Sequence, residues 1–175
     1  MSELQRITSE YIEDEDRIRL TGEVEGDKIV ALWLTQRMLV RLVSHLLKWL
    51  EQQIPVAAPE ALRNEQTTEM MQGFAQQAAS AELSAQQPVP CQTDTLTWLV
   101  NSVDLTDKGQ LMKLTFKGTN GESVTLSLQA QPLRQWLAII HQQWRVAEWP
   151  QTMWPQWMNE ASSSAITPES SSPFH

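Results

Sequence analysis

A lone cysteine, Cys91, is the whole thiol content of this chain. One thiol cannot close a disulfide within the molecule, so a disulfide framework is excluded and a reducing, cytoplasmic setting is expected. Six glycines leave room for neither a phosphate loop nor a dinucleotide fingerprint, and no Gly-x-Ser-x-Gly elbow occurs. The three histidines, His45, His141 and His175, fall in no His-x-x-x-His or Cys-x-x-Cys arrangement, so no zinc site can be read. A calcium loop fails for want of alternating Asp or Asn around a central Gly. Cys91 follows Pro90 with no adjacent cation or helix start to activate it, and reads as a passive thiol. No cofactor is expected, no catalytic residue can be named, and the chain reads as not an enzyme.

Long apolar runs are missing too. The most apolar stretch, IVALWLTQRMLVRLVSHLLKWL from Ile29 to Leu50, carries Arg37, Arg41, His45 and Lys48 at regular intervals. A membrane span tolerates few such groups. The opening MSELQRITSE has no hydrophobic centre of a signal peptide. Net charge is −8, which repels phosphate and disfavours nucleic acid and anionic membranes. The acidic run Glu13 to Asp16 reads as a solvated turn, since an acid/base pair needs two distinct environments.

What the sequence does contain is periodicity. DRIRLTGEV alternates, with Ile18, Leu20, Gly22 and Val24 on one face, and predicts a half-buried strand. A turn at Gly26 leads to KIVALWL, apolar on both faces and so covered on both. LQRITSEYIE is a weaker strand upstream. Thr35 can cap a helix in which Leu39, Leu42, Val43, Leu46 and Leu50 recur at threes and fours, ending near Gln53 before Ile54-Pro55. A second helix is expected from Pro59 and Glu60, with Leu62, Met70, Met71, Phe74 and Ala78 as a thin apolar stripe. Residues 80–92 read as a flexible crossing. A three-strand meander follows: Leu96, Trp98 and Val100 alternate, then Met112, Leu114 and Phe116, then Val124, Leu126 and Leu128. Asn120-Gly121 predicts a two-residue type I′ turn. Pro132 opens a last helix with Leu133, Trp136, Leu137, Ile140 and Trp144 as its core stripe, and Pro150 stops it. Residues 1–158 form a single domain, and the Ser- and Pro-rich 159–175 is expected to be disordered.

The fold class is therefore α+β: a mainly antiparallel β-sandwich or barrel in the order β-β-β-α-α-β-β-β-α, with an inserted helical hairpin and a C-terminal helix. The side-chain pattern shows no internal repeat, and the two three-strand blocks, each followed by a helix, are a loose echo of one another. This order resembles the head domain shared by DNA end-joining scaffolds and centriole-assembly proteins. The likeness rests on KIVALWLTQRMLVRLVSHLLKWL and on LTWLVNSVDLTDKGQLMKLTFKGTNGESVTLSLQAQPLRQWLAIIHQQW. It implies an assembly module that associates head to head and carries no catalytic residues. Pro150 and Pro155 depart from that family, whose exit helix continues as a long coiled coil.

Two features stand above the background. Arg37, Arg41 and Lys48 share one helix face with no acid between residues 31 and 50. This is either a solvated helix back or a docking surface for an acidic partner, such as a second copy's Glu13 to Asp16. The other feature is WRVAEWPQTMWPQWM, which holds four of the eight tryptophans. Trp144 belongs to the helix stripe. Trp149, Trp154 and Trp157, with Met153, lie beyond it, and two Trp-Pro steps forbid a continuing helix. The segment either folds back over its own domain or inserts into a partner; each buried indole stabilises by roughly 3 kcal/mol. The expected partner is a second copy, giving a homodimer, or another protein. The leading expectation is a non-enzymatic, self-associating interaction module. The alternatives are an acidic holdase with a groove lined by Met70, Met71 and Phe74, and an enzyme subunit or ligand-binding domain whose site is assembled from scattered residues.

Overall fold

The computed structural model describes residues 2–53 and 65–159. Its elements run β1 (Ser2–Glu3), β2 (Arg6–Ile12), β3 (Arg17–Val24), β4 (Lys28–Leu34), α1 (Gln36–Gln52), α2 (Glu65–Ala81), β5 (Leu96–Leu99), β6 (Ser102–Asp107), β7 (Leu111–Lys117), β8 (Ser123–Gln129) and α3 (Ala130–Val146). The fold is α+β, as its patterning requires, with two packed four-stranded sheets and no closed barrel. One sheet has the order β2-β3-β4-β5 and the other β1-β8-β7-β6. The expected helix start at Pro59, with Glu60 and Leu62, the Ile54-Pro55 stop, and the tail from residue 160 lie outside the described residues.

The strands form where alternation demands them. Ile18 and Leu20 of β3 are fully buried and stand opposite Leu34 and Leu32 of β4. Leu114 and Phe116 of β7 stand opposite Leu126 and Val124 of β8. The hydroxyl of Thr35 caps α1 by accepting the Met38 amide at 3.2 Å, satisfying one of the helix's orphan donors. Leu39, Leu42, Val43, Leu46 and Leu50 then point into the core. Among the described residues no helix is long and apolar enough to cross a membrane.

Three expectations change. The alternating stretch from Leu96 is not one meander strand, because the chain switches sheets at Val100-Asn101. The Val100 amide donates to Trp33 O at 3.0 Å in one sheet, and the Asn101 amide to Lys117 O at 2.7 Å in the other. Leu96 and Leu99 consequently lie exposed on β5, an edge strand, while Trp98 and Val100 are buried. The turn after β7 is not a two-residue type I′ turn. Only Gly121 takes a left-handed φ, 82°. The loop spans Gly118 N to Glu122 O at 2.9 Å, and the Glu122 carboxylate accepts the Asn120 amide at 2.7 Å. Finally, α2 turns its apolar stripe outward. Met70 is 59 % and Phe74 63 % exposed, whereas Gln72, Gln76 and Ala79 are buried against the neighbouring helices. Hydrogen bonding decides this orientation, since the two glutamines find buried partners that no apolar side chain could serve.

The sheet switch at Val100-Asn101 has a counterpart at the start of the chain. The Leu4 amide donates to Thr125 O at 2.7 Å in one sheet, and the Gln5 amide to Glu23 O at 2.9 Å in the other. β1 therefore pairs parallel with β8, and β5 parallel with β4. The halves β1–α1 and β5–α3 share one architecture: a short strand, a three-strand antiparallel meander, and a helix of 17 residues. Each half lends its first strand to the other half's sheet. The loose echo in the sequence is thus a repeat of architecture, carried by backbone pairing rather than by residue identity.

Candidate functional site

The Trp-rich segment folds back along α3. A Schellman turn ends that helix before Pro150 is reached: Glu148 is left-handed (φ 59°), its amide donates to Arg145 O at 3.0 Å, and the Trp149 amide to Trp144 O at 3.3 Å. The chain then runs antiparallel to α3. Trp149 meets Trp144 edge-on at 5.1 Å between ring centroids, and Tyr11 at 5.7 Å. Trp154 meets Trp144 at 5.5 Å and His141 at 4.5 Å. Trp157 lies beneath the Arg134 guanidinium, 5.7 Å from its carbon. Such edge-on contacts add stabilisation beyond area alone. Trp149, Trp154, Trp157 and Met158 are buried, and Met153 packs partly buried beside them. Of the two placements open from the sequence, the described chain adopts the fold-back one. These rings are covered by residues of their own domain.

Two polar anchors fix this clasp. The Asp16 carboxylate accepts from Trp149 Nε1 at 3.0 Å and from the Tyr11 hydroxyl at 2.8 Å. Tyr11's hydrogen bond, and then that of Trp149, hold the Asp16 carboxyl below its ordinary range. The same Asp16 bond, followed by burial, pushes the Tyr11 phenol up to about 12. The second anchor is a buried polar seam between α2 and α3. Arg134, 4 % exposed, donates through Nη2 to Gln72 Oε1 at 2.6 Å, and its carbonyl accepts from Gln76 Nε2 at 2.9 Å. No ion pair between described residues involves it. Burial lowers its pKa to about 10, and burial followed by the Arg145 charge lowers that of His141 to about 4. The seam could have been sought in the sequence, because Gln72 and Gln76 stand one turn apart and Arg134 and His141 two turns apart.

Arg37, Arg41 and Lys48 are exposed on α1 with His45, and none of the ion pairs between described residues involves them. Arg37 and Arg41 border an open cleft of about 650 Å³ with Val40, Arg17, Glu15 and Asp16. Lys48 lies farther along the helix, outside it. The structure brings the three tryptophans together around α3; Trp149 reaches the rim of the basic cleft only through Asp16, and none of the three lines it. A smaller groove of about 240 Å³ runs between α2 and the clasp, lined by Met70, Phe74 and Trp157. Cys91 is half-buried in the crossing that follows α2. That crossing is tied to the edge of β2, with the Val89 amide donating to Thr8 Oγ1 at 2.8 Å and Arg6 Nη1 to Gln87 O at 2.8 Å. Among the described residues no group of three or more His, Cys, Asp or Glu side chains is placed to hold a metal ion. No protein family, curated protein or solved structure matches the chain.

Proposed function

We propose that this chain is a non-enzymatic, self-associating interaction module, working in the cytoplasm, with the Trp-rich segment as an internal clasp that holds α3 in place. The observation that carries this reading is the cleft beside α1. It sets Arg17, Arg37 and Arg41 next to Glu15 and Asp16 around the apolar Val40. A surface bearing both charge signs around an apolar centre is suited to hold a segment of another protein chain, and a second copy of this chain is the partner proposed. The resemblance to end-joining scaffold heads, which associate head to head, points the same way. With a net charge of −8 and three cations on this face, nucleic acid is a poor match.

The test is sedimentation velocity of the full chain over a hundredfold range of concentration, at low and high salt. A dimer that weakens with salt is expected. A monomer throughout, at both salt concentrations, would end this reading.

A second reading has its own support. Met70 and Phe74 stand exposed along the groove beside Trp157, and flexible thioethers suit varied apolar ligands. A holdase of that kind would suppress aggregation of an unrelated unfolded protein, and would lose this on Phe74→Ser.

A further inference from the structure

The repeat of architecture makes the two helices α1 and α3 equivalent, and their core faces superpose in sequence. With Leu39 laid on Leu133, Val43 falls on Leu137 and Leu46 on Ile140, all buried. On the same alignment Arg37, Val40 and Arg41 fall on Gln131, Arg134 and Gln135. Those three residues of α3 are the ones that receive α2. Gln131 Nε2 donates to the Glu82 carboxylate, Arg134 bonds Gln72 and Gln76, and Gln135 Nε2 donates to Ala79 O at 3.1 Å. One member of the pair thus carries a docked helix. On the other, the equivalent face is exposed: Val40 is 37 % accessible and the two arginines flank it.

The chemistry of that face names what fits it. Where α3 offers neutral glutamines, α1 offers two guanidinium groups, with Lys48 beyond. A helix seated there should be apolar along its centre and acidic at its flanks. The outward face of α2 carries an apolar centre with an acid at one flank. Met70 and Phe74 lie one turn apart, Glu69 is exposed beside them, and residues 65–81 contain no Lys or Arg. In one molecule α2 is already committed through its opposite face to α3, and its outer face, exposed at Met70 and Phe74, is open to another molecule.

We infer that the outer face of α2 from one copy docks on the Arg37–Val40–Arg41 face of α1 in a second copy. Each copy supplies one face of either kind, and two such contacts made reciprocally form a two-fold dimer that covers the exposed Met70, Phe74 and Val40 together. This inference rests on the self-association proposed above and specifies its surface.

The experiment is sedimentation velocity on the full chain and on variants at exposed positions, with near-ultraviolet circular dichroism to check that each is folded. Arg37→Glu with Arg41→Glu, and separately Glu69→Lys with Phe74→Ser, should each weaken dimerisation by about tenfold or more. Combining Arg37→Glu, Arg41→Glu and Glu69→Lys in one chain should recover much of that loss, because both faces then change sign together. A wild-type protein that stays monomeric at every concentration overturns self-association itself. A dimer indifferent to both sets of substitutions leaves self-association standing and overturns this surface. Loss on reversing the arginines with none on altering α2 overturns α2 as the occupant, and assigns the basic face to an acidic segment elsewhere.

Discussion

Trp149 and Asp16, 133 positions apart, are joined by a single hydrogen bond of 3.0 Å from indole Nε1 to carboxylate Oδ1. It ties the C-terminal clasp to the first hairpin, and the Tyr11 hydroxyl donates to the same oxygen. This gives a clean optical test, because Tyr11 is the chain's one tyrosine. Absorbance at 295 nm should report a phenol ionising near pH 12 in the native protein, against about 10 for an unperturbed tyrosine. With the folded pKa raised, the stability this phenol contributes is full below pH 10 and is lost as pH rises through 12. Asp16→Asn removes the accepting charge and should bring the midpoint back toward 10. A midpoint near 10 in the wild type would mean that the Tyr11 hydroxyl is not bonded to Asp16.

His141 gives the clasp an acid limit. Its ring is buried against Trp154, and burial, then the charge of Arg145, lowers its pKa to about 4. In the unfolded chain it titrates near 6.5, so between pH 6.5 and 4 the unfolded state binds more protons and stability falls as pH falls. Asp16, its carboxyl held below the ordinary 3.8, keeps its contribution across this range and withdraws it only at lower pH. Urea unfolding followed by tryptophan emission should show midpoints that decline from pH 6.5 to 4. In His141→Gln most of that slope should vanish, whatever the variant's absolute stability. An equal slope in both proteins would contradict the buried neutral ring.

The sequence was informative where one physical effect dominated. Alternation placed β3, β7 and β8, the apolar run KIVALWL placed β4, and the three-four spacing of Leu39 to Leu50 placed α1. It was misleading at Leu96 and at Met70 and Phe74, where periodicity is present but the burial it implies is not. At Leu96 the chain changes sheet a few residues later, which no local pattern records. At α2, hydrogen bonds from Gln72 and Gln76 to backbone carbonyls of Leu50 and Arg134 outweigh the apolar stripe. The repeat stayed hidden because its signature is strand exchange, a long-range pairing of β1 with β8 and β5 with β4. Of the candidate site, the tryptophans and the basic face could be named from sequence. Their anchors Asp16 and Tyr11 could not, since they lie far away in the chain.

The turn that launches the clasp is strained in a way that can be relieved. Glu148 sits at φ 59° in the position after the helix cap that favours glycine, because a Cβ there crowds its own backbone. Glu148→Gly should stabilise the protein by about 1 kcal/mol, or roughly 2–4 °C in Tm for a chain of this size. Differential scanning calorimetry decides it. A lower Tm would imply that the Glu148 side chain contributes more to the native state than the left-handed backbone costs.

Strand exchange leaves its own mark on two glycines, Gly22 within β3 and Gly118 just past β7. A Cβ on Gly22 of β3 would lie 2.5 Å from Leu4 Cδ2, and one on Gly118, just past β7, would lie 2.9 Å from Trp98 Cε3. In each case one obstructing side chain belongs to the exchanged strand or its corner. The leucine end can swing aside at modest cost; the indole ring is stiffer, and the Glu122 carboxylate crowds the same spot at 2.6 Å. Gly22→Ala should therefore cost about 1–2 kcal/mol and Gly118→Ala about 2–3 kcal/mol. The decisive comparison is Gly22→Ala in a Leu4→Ala background, where the obstruction is gone. There the added methyl should cost less than in the wild type by about 1 kcal/mol, the coupling expected of residues in contact. Additive losses in that double-mutant cycle, measured by urea unfolding, would mean that Leu4 does not lie over β3 and that the first strand is not exchanged.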